Sequence, residues 1–176
     1  MGNSIGEGKE QVFENLKSLN LTQERPITVF EAGPGNGNYK DRFSPAFHES
    51  RWLGVEVWMD YIKEFDLVNR YDILVNMDVR NFIWHSNFDV AFFGDILEHM
   101  EKEEAVNLIA EAKRFCRHIY ISIPIILFHQ GPVKGNPYEE HIKPDWSHKE
   151  VMETWPEIVW SHPGNTVGVY RIDGIN

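Results

Sequence analysis

Apolar positions in this 176-residue chain change repeatedly between a helical spacing and short β-branched runs, with glycine, proline or acidic residues near each change. Val12, Phe13, Leu16 and Leu19 fall at helical spacing and predict an amphipathic helix over residues 9–19. Ile27-Thr28-Val29-Phe30, directly after Pro26, predicts a first strand. Further strands are predicted at Trp52–Val57, Asp72–Asn76, Phe88–Phe93 and His118–Pro124, separated by helical segments. After the fourth strand, Glu101, Glu103 and Glu104 place negative charge in a first helical turn, where it complements the helix dipole. The later residues Val106, Ile109, Ala112 and Phe115 of that helix are expected to face the sheet. Ser147 to Glu150 has the capping-box spacing and predicts a short helix to about Thr154. Glu157–Trp160, the turn Pro163-Gly164-Asn165 and Val167–Ile172 read as a closing hairpin. Alternating strands and helices predict an α/β fold, with a mostly parallel sheet covered by helices on both faces.

Residues 125–146 break the pattern. They have no clear periodicity and contain Gly131, Pro132, Gly135, Pro137 and Pro144, and an aperiodic stretch of this length is often functional. With no repeat, linker or low-complexity tract, one domain over residues 1–176 is expected, of a length that a single core can serve.

Composition narrows the function classes. The chain is 42% hydrophobic, enough for a core, and no window approaches the roughly 20 unbroken apolar residues of a membrane span. Met1-Gly2-Asn3-Ser4-Ile5-Gly6 lacks the Ser or Thr of a myristoylation site and no secretory signal follows, so a soluble cytoplasmic protein is expected. A net charge of −10 disfavours nucleic acid as a partner. The single cysteine, Cys116, leaves no intrachain disulfide and reads as a small buried hydrophobe.

The first strand runs into Glu31-Ala32-Gly33-Pro34-Gly35-Asn36-Gly37, a glycine turn of the kind that lets a cofactor approach the backbone. The third glycine of a dinucleotide fingerprint would fall at position 38, which is Asn38. Glu56 ends the second strand beside Val57, where a carboxylate can accept both hydroxyls of a ribose. Asp78 follows the third strand, and Asp95 and Glu98 follow the fourth. Successive strands therefore deliver carboxylates to the edge that carries the glycine turn, which points to a nucleoside cofactor.

Taken in order, Val29 to Gly37, Leu53-Gly54-Val55-Glu56, Asp78, and Phe88-Asp89-Val90 through Asp95-Ile96-Leu97-Glu98-His99 resemble the class I S-adenosylmethionine-dependent methyltransferases. The resemblance spans residues 27–172 and implies a Rossmann-like sheet of seven strands in the order 3-2-1-4-5-7-6, with the seventh antiparallel. It implies that Glu31, Gly33, Pro34, Gly35 and Gly37 hold the methionine part of the cofactor, Glu56 the ribose, and Asp78 with the Val79 backbone the adenine. Gly94 and Asp95 would line the methyl side, and residues 1–25 with the 125–146 loop would shape the pocket of a small-molecule acceptor. His99 and His141 are the candidates for taking the acceptor proton.

Asp95 to His99, with His141 and Trp146, also looks like the pattern of small-RNA 3′-end 2′-O-methyltransferases and quinone-pathway O-methyltransferases, in which acids and histidines hold a divalent metal. The other interpretation has Glu98 capping a helix, His99 bonded to backbone, and His141 as loop scaffold or general base. We assign no metal ligand from the sequence. Asn136-Pro137-Tyr138 reads as a turn with a tyrosine able to stack, and His48, His85, His129, His148 and His162 as surface or structural residues.

Overall fold

The computed structural model describes residues 6–21 and 25–174, so Met1–Ile5 of the N-terminal motif lies outside the described residues. Seven strands form one sheet: β1 (Ile27–Ala32), β2 (Ser50–Glu56), β3 (Ile73–Asn76), β4 (Phe88–Gly94), β5 (Cys116–Pro124), β6 (Ile158–Pro163) and β7 (Val167–Asp173). Their order is β3-β2-β1-β4-β5-β7-β6. The first five pair in parallel, and β7 is antiparallel to both β5 and β6. The chain winds outward from β1 to β3, then returns to pair β4 on the other side of β1. That reversal opens a crevice at the carboxyl ends of β1 and β4, the place where such sheets bind ligands.

The α-helices are α1 (Lys9–Ser18), α2 (Asn38–Phe43), α3 (Met59–Glu64), α4 (Leu67–Arg70), α5 (Lys102–Ala112) and α6 (His148–Thr154). Alternation along the central strands divides the apolar residues between two layers. Val90 and Phe92 of β4 pack on one face with Val12 and Leu16 of α1. Ala91 and Phe93 pack on the other with Ala105, Leu108, Ile109 and Ala112 of α5. Val106 and Phe115, expected on that inner face, are only partly buried, because helix entry at Lys102 turns Ala105 and Leu108 inward. Phe92 stacks on Phe43 at 4.9 Å and on Trp52 at 5.7 Å between ring centroids, locking α2 and β2 to the centre of the sheet.

The predicted cap at Ser147 forms, and Glu101 with Glu104 forms a second, where the sequence indicates only charge that complements the helix dipole. Glu104 accepts from the amide of Glu101 at 2.9 Å, and the Ser147 hydroxyl accepts from the amide of Glu150 at 3.1 Å. Cys116 is fully buried and its thiol is pushed up by burial, as suits an inert core residue. No helix among the described residues is long and apolar enough to cross a membrane.

Residues 125–146 fold into a loop with one 3-10 turn, Pro137–Glu139, whose entry is capped when Asn136 Oδ1 accepts from the amide of Tyr138 at 3.0 Å. Backbone bonds hold it closed on itself and on the sheet: Phe128 N to Pro144 O (2.8 Å), His141 N to Gln130 O (2.9 Å) and Lys143 N to Glu98 O (3.0 Å). At the other end of the chain, the Glu7 carboxylate accepts from the amides of Asn165 (2.7 Å), Thr166 (2.8 Å) and Val167 (2.9 Å) and from the Thr166 hydroxyl (2.6 Å). The Thr166 hydroxyl and the three amides hold its pKa down to about 2, and the entry to α1 is thereby fastened to the β6–β7 turn.

Candidate cofactor and acceptor site

A cavity of about 160 Å³ opens at the carboxyl ends of β1, β2 and β4. The turn after β1 forms its floor. Gly33, Gly35 and Gly37 take φ values of 58°, 53° and 73°, in the left-handed region that favours glycine. Gly33 donates to Val55 O (2.8 Å) and Gly37 to Pro34 O (2.7 Å), while Arg70 donates to the carbonyls of Asn36 (2.6 Å) and Gly37 (3.1 Å) from outside. Gly33, Pro34 and Gly35 line the cavity and Gly37 does not.

Glu31 does not line it either. Strand geometry turns its side chain to Tyr71, whose hydroxyl donates to the carboxylate at 2.7 Å. Complete burial pushes the Glu31 carboxyl up to about 8, although the Tyr71 bond and the nearby Arg70 and Lys40 charges oppose the shift. The expected direct contact from Glu31 to a cofactor is thus replaced by a buried fastening next to the turn.

Glu56 lines the cavity beside Val57, and each of its oxygens already accepts one backbone bond, from Gly35 N (2.9 Å) and Trp58 N (2.8 Å). A carboxylate oxygen has a second lone pair, so both remain able to accept from a ligand hydroxyl. Burial raises the Glu56 pKa against the pull of those two amides.

Asp78 and Val79 line an adjoining cavity of about 70 Å³, which shares Gly33, Val57, Ile96, His99 and Tyr138 with the first. Burial would raise the Asp78 pKa, but Arg80 outweighs it: the Arg80 amide donates at 2.9 Å and its guanidinium grips the carboxylate. The two cavities adjoin, so that the glycine turn, Glu56 and Asp78 lie along one edge of the sheet.

The opposite wall is made after β4. Gly94 is packed so closely against Tyr39 that any Cβ there would overlap the ring. Asp95 adopts a left-handed φ of 55°, unusual for a non-glycine residue, and accepts from the Ser122 hydroxyl at 2.9 Å. Glu98 is 2% exposed with Oε2 unpartnered, and burial together with the Asp95 charge pushes its carboxyl well above the usual range.

His99 and His141 meet across this wall, with ring centroids 4.9 Å apart. His99 Nδ1 lies 3.0 Å from Glu140 O, and His141 Nδ1 lies 2.7 Å from Phe128 O. A carbonyl can only accept, so both Nδ1 atoms carry hydrogen and each neutral ring keeps its lone pair on Nε2. Burial, helped by His99, lowers the His141 pKa against the Phe128 carbonyl. Glu98, His99 and His141 each offer a ligand atom within 4.8 Å of the others.

Several lining residues carry no signal in the linear pattern: Tyr39 on α2, Tyr61 on α3, Ile96, and Phe128, Gln130 and Glu139 of the loop. The loop was marked by its aperiodicity, but which of its side chains turn inward depends on the backbone bonds that close it. No described residue of the first 25 lines either cavity, and residues 1–5 and 22–24 of that segment lie outside the described residues. The buried Lys9 ammonium lies 4.8 Å from the centre of the Tyr39 ring, which lines the first cavity.

No protein-family model and no curated protein matches the sequence. Solved structures do match in shape. An S-adenosylmethionine-dependent methyltransferase from Clostridium acetobutylicum superposes with a TM-score of 0.71 at 11% identity, over 96% of this chain and 91% of that one. The 1,6-didemethyltoxoflavin-N1-methyltransferase of Burkholderia thailandensis, with bound 1,6-didemethyltoxoflavin and S-adenosylhomocysteine, gives 0.64 at 16%, over 97% and 79%. Magnesium protoporphyrin IX methyltransferase from Synechocystis, with S-adenosylhomocysteine bound, gives 0.65 at 13%, over 96% and 83%. Strand order, the antiparallel β7 and these superpositions agree that the chain has, over nearly its whole length, the Rossmann-like fold of the class I S-adenosylmethionine-dependent methyltransferases.

Proposed function

We propose that the chain is an S-adenosylmethionine-dependent methyltransferase acting on an oxygen or nitrogen of a small molecule. The observation that carries this reading is the pair of adjoining cavities, one lined by the glycine turn, Glu56, Gly94, Asp95 and two histidines with Nδ1 bonded to carbonyls, the other by Asp78 and Val79. The Gly33–Gly35 backbone takes the methionine part of the cofactor, Glu56 the ribose hydroxyls, and the Asp78–Val79 corner the adenine. Neighbours of the same shape bind S-adenosylhomocysteine, the cofactor product.

When bound, the cofactor would supply a sulfonium methyl group to a lone pair of the acceptor, the electron pair of the carbon–sulfur bond leaving with sulfur. Nε2 of His99 or His141 takes the acceptor proton. Positioning supplies most of the acceleration, and the backbone bonds that orient both imidazoles are the means by which this chain provides it.

A second reading is favoured by the convergence of Glu98, His99 and His141 on one point. The unpartnered Glu98 oxygen and the two imidazoles suit a divalent cation, which would lower the pKa of an acceptor hydroxyl when bound. Added zinc or magnesium that raises thermal stability in wild type but not in His141→Ala supports this reading; no shift with any divalent ion rejects it.

The test of the main proposal is titration calorimetry with S-adenosylhomocysteine, followed by assays with methyl-labelled cofactor. Saturable binding that weakens in Glu56→Gln is expected. Absence of binding at millimolar ligand rejects the proposal, and binding without turnover over a broad acceptor panel favours a non-catalytic cofactor-binding protein.

A further inference from the structure

The acceptor half of the cavity has a composition of its own. The loop brings Phe128 to it, 38% exposed, so one aromatic side chain stands partly open in a concave wall, while Tyr138, 44% exposed, lies on the boundary with the Asp78 cavity beside Trp58. Pro124 and Ile96 add apolar surface, and the Phe128 ring meets His141 edge-on at 5.1 Å. Aromatic rings in such a wall reward a flat ring laid against them.

Charge narrows the class further. Among the described residues no lysine or arginine lines this cavity, whereas Glu56, Asp95, Glu98 and Glu139 do. Of the nearby lysines on this side, Lys102 and Lys143 are both held in ion pairs with Glu150. A carboxylate or phosphate acceptor would find no counter-charge here. An alkylammonium acceptor would be held in its protonated form, which has no lone pair for attack, by Asp95 and Glu139, whereas burial moves the Glu98 and Glu56 carboxyls toward their neutral form. The imidazoles in turn offer acceptor lone pairs at Nε2 and so ask for a hydrogen-bond donor on the ligand.

Resting on methyl transfer at this site, we propose that the acceptor is an uncharged aromatic small molecule whose ring carries the reacting O–H or N–H, laid against Phe128 with that hydrogen directed at His99 and His141. The ring oxygen or nitrogen forms the new bond to the methyl carbon, sulfur leaves with the electron pair of the broken bond, and the ring proton goes to an imidazole. Phe128 is absent from the Asp78–Val79 cavity and its ring meets His141, so its contact is expected to set acceptor affinity more than cofactor affinity.

The experiment supplies methyl-labelled cofactor with catechol, benzimidazole, benzoate, benzylamine or cyclohexanol. Label is expected in catechol or benzimidazole at least about tenfold faster than in the other three, and Phe128→Ala is expected to raise the acceptor KM about tenfold, with Phe128→Tyr restoring it. The dissociation constant of S-adenosylhomocysteine is expected to stay within about twofold in both variants. Faster labelling of benzoate, benzylamine or cyclohexanol overturns the proposal, as does an unchanged KM in Phe128→Ala. Normal binding of S-adenosylhomocysteine with no label in either aromatic overturns the acceptor class and leaves the cofactor reading standing. Failure to bind it removes the methyl-transfer reading and this proposal with it.

Discussion

The two halves of the cavity are built by different means. The cofactor half comes from short turns that follow β1 and β2, fixed by glycine conformation, by the local bond from Gly37 N to Pro34 O and by the bond between adjacent strand ends from Gly35 N to Glu56 Oε2. The acceptor half comes from residues 125–146, whose inward side chains are set by backbone bonds from Phe128 to Pro144, from His141 to Gln130 and from Lys143 to Glu98. The first half is a property of strand ends and can be matched in any protein of this fold. The second is a property of one loop and can vary while the sheet stays constant.

If the halves are separable, changes in one should leave the other intact. The largest effect is expected at the histidines: His99→Ala or His141→Ala should lower kcat by about 10²–10⁴ while S-adenosylhomocysteine binding, measured by calorimetry, stays near wild type. A comparable loss of cofactor affinity would break the division. Next is Glu31. Its folded pKa of about 8 lies above the ordinary glutamate value of 4.5, so between these values the folded protein holds a proton that the unfolded chain has released. Stability contributed by this group is therefore present at acid pH and lost as pH rises toward 8, on the order of a few kcal/mol. Urea unfolding at both ends of that window should show a smaller loss in Glu31→Gln than in wild type, the remainder coming from Glu98 and Glu56, whose carboxyls burial also raises.

Within the cofactor half, Glu56→Gln should weaken S-adenosylhomocysteine binding roughly ten- to a hundredfold, from the worth of hydrogen bonds to a charged acceptor, with the KM of any acceptor little changed. The smallest effect is expected at Lys134, which pairs with Glu64 at 2.7 Å across the outside of the loop. Both partners are close to half exposed, so Lys134→Ala should cost under about 1 kcal/mol and shift acceptor KM less than about twofold. A large shift there would mean that the ion pair, and not the backbone bonds, holds the acceptor half closed.

The strands were legible because their apolar runs end at Gly33, Glu56, Asp78 and Asp95, and those residues reach one edge through sheet geometry alone. Glu31 was misplaced for a related reason. Its neighbourhood to the glycine turn is visible in the sequence, but the partner that turns it inward is Tyr71, forty positions away. Phe128, Tyr39 and Tyr61 carried no marker, since an aromatic residue in a loop or on a helix looks the same whether it faces core, cavity or solvent.

By itself, then, the sequence determined the order of strands and helices, the left-handed glycine turn, and the delivery of carboxylates to the carboxyl edge of the sheet. These follow from local periodicity and from the fixed alternation of side chains along a strand. Only the tertiary structure decided that Glu31 is a fastening, that His99 and His141 come within 4.9 Å with Nε2 free, and that Phe128 stands open beside them. Those placements depend on hydrogen bonds between residues far apart in the chain, and no pattern of neighbouring residues encodes a partner that folding alone brings close.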